Sequence, residues 1–339
     1  MAAEQVHEGG DAGPVTTELR GKVLVVTIDN PPVNALGVAV RRGLAAAIDE
    51  AGSNPGVGAV LIVGAGRNFI AGADIREFGK PPQSPLLTEV CTSLEASRKP
   101  VVAAIHGAAL GGGLEVAMGA HYRIAAPSAK LGLPEVLLGL LPGAGGTQRA
   151  PRLMGAKAAL DLMIGGKPLA AKDALRLGLV DRVASSEEAL SEGLAYAQEL
   201  LATGAGPRRS RDAQGLADRE ASLAAIEAAR ADVAKKSGHL FSPKRIVDAV
   251  ADAVDKPIDE ALKLERQYFM EALNSPQRAG LIHAFFAERE VAKVPEAAAA
   301  KPRPLASIGV IGGGTMGAGI TVSALDAGLP VVMVERDAE

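Results

Sequence analysis

Two glutamates lie in otherwise apolar, glycine-rich sequence, twenty positions apart. They are Glu115, in Ala108-Ala-Leu-Gly-Gly-Gly-Leu-Glu-Val-Ala-Met118, and Glu135, in Leu131-Gly-Leu-Pro-Glu-Val-Leu-Leu-Gly139. An isolated ionised carboxylate is costly in apolar surroundings, so its pKa should rise. Two such groups facing one cavity form an acid/base pair, which is the equipment for adding water to an activated double bond. Two further segments, Phe69-Ile-Ala-Gly-Ala-Asp74 and His106-Gly-Ala-Ala-Leu-Gly-Gly-Gly-Leu-Glu115, put small residues at turns after expected strands. Backbone N–H groups can approach a ligand closely at such turns. Gly112 also opens the expected helix that carries Glu115, and a helix N-terminus offers unpaired N–H groups and partial positive charge. Two N–H donors aimed at one carbonyl oxygen would stabilise an enolate-like oxyanion.

The elements that must position these groups follow a recurring strand–turn–helix order. Val15–Leu19 and Val23–Ile28 read as strands joined at Arg20-Gly21-Lys22. Asn30-Pro-Pro-Val-Asn34 is a loop, and Val38–Ala51 has helical periodicity. Val57–Val63 is a buried strand, Gly64–Asp74 a turn-rich loop, Leu86–Ser97 a helix and Val101–Ile105 the next strand. Residues 144–204 read as mostly helical, with short strands near Lys130–Gly132 and Val180–Val183. Gly204–Gly215, with its run of arginines, reads as a basic hinge. Residues 216–236 and 244–292 are strongly helical, and residues 294–304 form a Pro/Ala linker. Residues 1–13 read as disordered. The pattern predicts mixed α/β layers.

Composition narrows the function. The 339 residues suffice for two domains. A net charge of −3 and 3% aromatic residues with no Trp argue against nucleic acid. Cys91 is the one cysteine, so intrachain disulfides are impossible and a Cys-based zinc site is not expected. None of the five histidines has ligand spacing, and no metal is assigned. Val101–Ala120 is long enough to span a membrane, but His106 and Glu115 interrupt it and Gly and Ala dominate it. The N-terminus resembles neither a signal nor a transit peptide.

Five motifs in order resemble the crotonase (enoyl-CoA hydratase/isomerase) superfamily over about residues 14–200. They are Asn30-Pro-Pro-Val-Asn-Ala-Leu36, Ala71-Gly-Ala-Asp-Ile75, Ala109-Leu-Gly-Gly-Gly-Leu-Glu115, the run from Pro134 to Arg149, and Ala174-Leu-Arg-Leu-Gly-Leu-Val-Asp181. The resemblance implies a ββα spiral and an acyl-CoA substrate. It puts the catalytic carboxylates on Glu115 and Glu135 and the oxyanion donors on the N–H groups of Ala73 and Gly112. It puts Gly143 where the backbone braces the water. Ala71, Asp74, Arg67 and Arg76 fall on the CoA side, with the two arginines beside phosphates. The implied reaction hydrates trans-2-enoyl-CoA to (3S)-3-hydroxyacyl-CoA without a cofactor. Which glutamate acts as base is left open, since a coupled pair titrates as a unit.

Ile308-Gly-Val-Ile-Gly-Gly-Gly-Thr-Met-Gly317 contains G-x-G-x-x-G as Gly312, Gly314 and Gly317. An apolar strand precedes it, a helix follows, and a second strand ends in Glu335, 21 positions after Gly314. That is the context of a dinucleotide site, with the carboxylate favouring NAD. The order resembles the multifunctional β-oxidation enzymes, which join a hydratase, often with Δ3,Δ2-enoyl-CoA isomerase activity, to 3-hydroxyacyl-CoA dehydrogenase. The expected division is therefore a hydratase/isomerase domain at 14–200, a helical linker or lid at 201–300, and an incomplete NAD-binding Rossmann βαβ at 305–339. The chain is expected to be the N-terminal part of such a protein. It would be cytoplasmic in a bacterium or peroxisomal in a eukaryote, a monomer or a crotonase-type homo-oligomer, with a thiolase as possible partner in a β-oxidation complex. The alternatives are an isomerase alone, or an NAD-binding or assembly subunit with a silent hydratase site.

Overall fold

The computed structural model describes residues 13–77, 80–291, 293, 294, 297, 300, 301 and 303–336. The expected disorder of residues 1–13 falls almost wholly outside them. The chain divides into a unit running to Phe285 and a second from Phe286 onward.

The first unit opens with β1 (Val15–Arg20) and β2 (Val23–Ile28), an antiparallel hairpin turned at Gly21. Helix α1 (Val38–Ser53) leads to β3 (Ala59–Gly64), and α2 (Leu87–Ala96) to β4 (Val101–Ile105). Then come β5 (Ala108–Leu110), α3 (Gly112–Gly119), β6 (Tyr122–Ala125) and β7 (Lys130–Gly132). A 3₁₀ turn spans Glu135–Leu138. Helices α4 (Gly146–Met154) and α5 (Ala156–Gly165), β8 (Leu169–Ala170), α6 (Ala171–Arg176), β9 (Arg182–Val183) and α7 (Ala189–Ala202) follow. The unit continues through α8 (Arg219–Ser237), α9 (Ser242–Asp255) and α10 (Ile258–Leu273), and most of α11 (Pro276–Val291) belongs to it.

Six strands form one sheet in the order β1-β2-β3-β4-β6-β9, parallel except for the first pair. β5-β7-β8 form a second, smaller sheet. The strand period of two splits the large sheet's side chains between two cores. Leu24, Val26, Val60, Ile62, Val101 and Ala103 face the main core. Val23, Val25, Leu61, Val63, Val102 and Ala104 face a smaller one closed by Tyr196, Ala197 and Leu200 of α7. A sheet covered on both faces needs the continuous apolar runs that mark β2, β3 and β4.

Three short strands escape a sequence reading. β5, β6 and β8 have two to four residues, below the length at which alternation is visible, whereas β7 and β9 show as weak apolar runs. The supposed membrane span divides into β4, β5 and the eight-residue α3. Among the described residues no helix is long and apolar enough to cross a membrane.

The expected hinge at 204–215 is instead a pinned belt. Arg208 stacks over the Tyr122 ring, 4.8 Å from its centroid, and pairs with Asp181. Ser210 is buried and donates to Glu95 Oε1 at 2.6 Å, and the Arg211 N–H donates to the same oxygen at 3.0 Å. Composition alone made these residues look solvated. Buried and half-buried carboxylates from distant elements engage them. The helices of 219–285 likewise pack within the first unit rather than standing apart from it.

The second unit carries β10 (Ile308–Ile311), α12 (Thr315–Asp326) and β11 (Val331–Val334), with the two strands parallel. Gly312 has φ +95°. At Gly317 a Cβ would lie 1.7 Å from the Gly312 oxygen, so helix and turn touch only because that side chain is absent. Two strands cannot cover both faces of such a unit. Ile311, Met316, Val322, Leu325 and Val332 are accordingly exposed.

Candidate active site

Glu115 projects from α3, a helix buried on every side. Only 3% of the residue is exposed. Its Oε1 accepts the N–H groups of Ala144 at 2.7 Å and Gly146 at 2.9 Å. Burial pushes its pKa up; those two donors and the Arg149 charge pull it back, and the net remains above the usual range.

Glu135 starts the 3₁₀ turn and is partly buried. Its Oε2 is covered and has no hydrogen-bond partner among the described residues. Burial first, and then the charge of Glu115, push this carboxyl well above the ordinary range. Gly111 touches the backbone of Glu115 and the carboxyl of Glu135. The Glu115 N–H donates to the Gly111 oxygen at 3.0 Å, and Glu135 Oε1 lies 3.1 Å from where a Cβ on Gly111 would sit. Gly111 has φ +52°, so only glycine sits there without strain.

The two turns are laced together before any ligand arrives. The Ile70 N–H donates to the Ala108 oxygen and the Leu110 N–H to the Ile70 oxygen, both at 3.1 Å. The Leu36 N–H donates to the Gly72 oxygen at 2.9 Å. The N–H groups of Ala73 and Gly112 have no acceptor among the described residues, and Ala73 N lies 3.9 Å from where a Cβ on Gly112 would sit. Leu36 and Leu87 flank the same point. Two N–H groups without acceptors, close together with an apolar rim, are an arrangement that can stabilise an oxyanion.

Asn34 holds this arrangement, although in the sequence it stands only as part of a loop motif. It is buried, with φ +55°. Its amide nitrogen donates to the oxygens of Ala65 at 2.9 Å and Asn68 at 2.8 Å, and its Oδ1 accepts from the Asn30 N–H at 2.9 Å. A short polar residue tolerates left-handed backbone, and that type after Pro-Pro is the signal that could have found it.

Close packing makes the turn intolerant. A Cβ at Gly113 would come 2.1 Å from the Ile70 oxygen. That atom is backbone and tied to Leu110, so it cannot yield. Gly113→Ala is expected to destabilise the fold by about 3 kcal/mol or more, at the upper end of overpacking costs, in urea unfolding. Wild-type stability in that variant would show the turn to be compliant.

The remaining expected site residues divide. The Gly143 N–H has no acceptor among the described residues; Gly143 is packed under the Phe269 ring and precedes Ala144, whose N–H donates to Glu115. The Ala71 N–H is taken by the Val33 oxygen at 3.1 Å, which leaves only its carbonyl for a substrate. Arg76 is exposed and pairs with Asp74 at 2.7 Å, holding that carboxyl below its usual range. Arg67 is exposed. His121 is structural. Its Nδ1 accepts the Val101 N–H and its Nε2 lies 3.1 Å from the Glu95 oxygen. In the second unit, Gly312, Gly314 and Gly317 form the turn at the start of α12, and the Glu335 carboxylate caps the Gly313 N–H. That set fits a dinucleotide's pyrophosphate and ribose. Among the described residues no cluster of three or more His, Cys, Asp or Glu is built to hold a metal.

A third buried glutamate escapes the sequence reading. Glu265 lies on the buried face of α10 with Ile258, Ala261 and Ala272, and is 1% exposed. It accepts the Gly145 N–H at 2.6 Å, the Thr147 N–H at 3.0 Å and the Thr147 hydroxyl at 2.5 Å. Burial and the Glu115 charge push its pKa to about 8. The signal was a carboxylate at an apolar position of an amphipathic helix.

Residues 18–246 match the family described as enoyl-CoA hydratase/isomerase, and residues 307–339 match 3-hydroxyacyl-CoA dehydrogenase, NAD binding domain. The chain is 44% identical over 326 residues to the peroxisomal bifunctional enzyme of Danio rerio, covering 94% of this chain and 45% of that one. It is 38% identical over 330 residues to the glyoxysomal fatty acid beta-oxidation multifunctional protein of Cucumis sativus, covering 92% and 45%. The chain thus spans less than half the length of these curated relatives. Among solved structures, the carnitinyl-CoA hydratase from Mycobacterium avium superposes with a TM-score of 0.62 at 30% identity, covering 82% of this chain and 97% of that one.

Proposed function

Because the chain belongs to the enoyl-CoA hydratase/isomerase family, we propose that it hydrates 2-enoyl-CoA thioesters to 3-hydroxyacyl-CoA. The observation that carries this reading is the contrast between its two carboxylates. Glu115 is held by two N–H donors, which favour its ionised form. Glu135 has a buried oxygen without a partner and sits beside the Glu115 charge, which favours its protonated form. Environments that push two pKa values apart assign the acid and the base.

Water held between the two loses a proton to Glu115 as its oxygen adds to C3. The negative charge that develops on the thioester oxygen meets the N–H groups of Ala73 and Gly112. Glu135 gives its proton to C2. The proton taken by Glu115 then restores Glu135, so the pair returns to its starting state. The Gly143 N–H braces the water. Ala71, Asp74, Arg67 and Arg76 lie toward the CoA moiety, and there Arg76 would leave Asp74 to meet a phosphate. Isomerisation needs only one carboxylate to move a proton between C2 and C4, and the same site supports it. The division at 14–200, 201–300 and 305–339 is carried forward with one amendment: the helices up to Phe285 serve the hydratase unit.

The relatives' names support a place in fatty-acid β-oxidation and, in a eukaryotic host, in the peroxisome; in a bacterial host the expected compartment is the cytoplasm. The match of residues 307–339 to a 3-hydroxyacyl-CoA dehydrogenase NAD-binding domain supports a dehydrogenase in the longer protein. There Gly312, Gly314 and Gly317 would hold the NAD pyrophosphate and Glu335 the ribose, and the bound nicotinamide would supply the hydride acceptor. Monomer, homo-oligomer and thiolase complex are all compatible with this reading.

The test follows loss of the conjugated thioester's ultraviolet absorbance for short and long 2-enoyl-CoA substrates, with Glu115→Gln as control. Turnover that vanishes in the control supports hydration. A folded, inert wild-type chain overturns it in favour of an isomerase or a silent site. Calorimetry with NAD separates the remaining alternative: this chain, with one βαβ, is expected to give little or no heat. Tight binding would favour an NAD-binding subunit.

A further inference from the structure

From the loop after Pro142 into the first turn of α4, four successive backbone N–H groups alternate between two carboxylates. Ala144 and Gly146 donate to Glu115 at 2.7 and 2.9 Å. Gly145 and Thr147 donate to Glu265 at 2.6 and 3.0 Å. These are N–H groups at a helix start, which have no intrahelical acceptor. Gly145, the residue just before α4, has φ +101°, a conformation glycine adopts without strain, and its N–H points away from those of its neighbours to a different carboxylate. Glu265 adds a third bond, from the Thr147 hydroxyl at 2.5 Å. It comes from α10, beyond the 18–246 span that matches the hydratase family.

We propose that Glu265 is a positioning residue for hydration: by fixing Gly145 and Thr147 from α10, it aims the Ala144 and Gly146 N–H groups at Glu115. This rests on Glu115 acting as the base. It makes α10 part of the active site and gives the buried carboxyl a purpose. A carboxylate with 1% exposure is costly to bury, and Leu at the same position would pack more cheaply. Neighbouring contacts agree with the assignment. A Cβ on Gly145 would meet Leu262 of α10 at 3.3 Å, and a Cβ on Gly143 would meet Phe269 of α10 at 2.4 Å, so the helix is seated against the whole loop. Among the described residues Glu265 takes its hydrogen bonds from Gly145 and Thr147 and none from Ala73 or Gly112, so substrate capture should not depend on it.

The experiment compares Glu265→Leu, which keeps bulk and removes both acceptors, with Glu265→Gln, which keeps one. Misplacing a catalytic group by about 1 Å costs roughly 10²-fold. The expected result is a kcat lowered roughly 30- to 100-fold in the Leu variant, with KM within about threefold, and partial recovery in the Gln variant. Amide exchange, which needs no turnover, is read on the same proteins. Protection should fall at Gly145 and Thr147 and also at Ala144 and Gly146, which Glu265 does not touch. A Leu variant with wild-type kcat, or with unchanged protection at Ala144 and Gly146, overturns the proposal. If the wild-type chain hydrates nothing, the hydration reading fails separately. Exchange then decides: spread of deprotection to Ala144 and Gly146 supports the bracing, and its absence overturns it.

Discussion

Glu135→Gln is expected to lose hydration by about 10³-fold while making the fold more stable at neutral pH, since general acid–base groups contribute roughly 10²–10⁴-fold. The amide cannot give a proton to C2, so kcat falls. Its shape is that of the protonated acid, so KM for the thioester should hold. The stability effect follows from linkage. The folded-state pKa of Glu135 lies well above its unfolded value of 4.5. Its contribution is therefore full below pH 4.5 and is lost as pH rises through the folded value, because the unfolded chain releases the proton first. Gln does not titrate. The variant should match wild type near pH 4 and exceed it near pH 8, with about 1.4 kcal/mol for every tenfold difference in proton affinity between the folded and unfolded chain. Thermal melts at both pH values check this. A variant less stable than wild type at pH 8 would mean that Glu135 is ionised and paired. Glu115→Gln should lose hydration comparably, because Gln Oε1 still accepts from Ala144 and Gly146 and leaves only the charge missing. The double variant should be little worse than either single one, as expected of groups that act as a unit.

How much of this was legible in the sequence depends on the distance over which each signal acts. Glu115, Glu135, Gly112 and Ala73 were legible because each stands within a short motif whose backbone geometry is local. The long strands β2, β3 and β4 were legible from continuous apolar runs. Glu265 was not, because its partners are 118 and 120 residues away and its helix also reads as an ordinary linker helix. The basic stretch around Arg208–Arg211 misled for the same reason. Composition shows four polar, mostly charged residues, and only the fold brings Asp181 and Glu95 to them. Asn34 lies between these cases: its type and its place after two prolines were visible, but the carbonyls it collects, at Ala65 and Asn68, come from another loop.

Arg149→Met is expected to cost about 3–5 kcal/mol of stability, the usual penalty for leaving one half of a buried ion pair unmatched. Arg149 and Glu95 are each 1% exposed and 3.0 Å apart. Burial pushes the Glu95 carboxyl up, but Arg149, Ser210 and Arg211 overcome it and hold it below the usual range. Removing Arg149 leaves that buried charge with only the half-buried Arg211 guanidinium, 3.4 Å from the same oxygen. It also removes the hydrogen bond from Arg149 to the Ala144 oxygen at 3.1 Å, in the loop that holds Glu115. Arg149's positive charge is one of the influences that lower the Glu115 pKa. Its loss should raise that pKa, so the acid limb of kcat should move to higher pH. The double variant Glu95→Gln/Arg149→Met separates the two effects. The amide oxygen that Glu95→Gln introduces can still accept from Ser210 and Arg211, as Glu95 Oε1 does. With no stranded carboxylate, most of the stability should return. The acid limb should stay displaced, because the missing charge is Arg149's and not Glu95's. Urea unfolding and a pH–rate profile on both variants read the two quantities independently. An unmoved acid limb would mean that Glu115 does not feel Arg149. A double variant as unstable as the single one would mean that the cost came from lost packing and not from the unpaired charge. The surroundings of Glu115 are in this view arranged from both sides: Arg149 favours the base's ionised form, and Glu265, whose own carboxyl is pushed up to about 8, steadies the loop whose N–H groups hold the base.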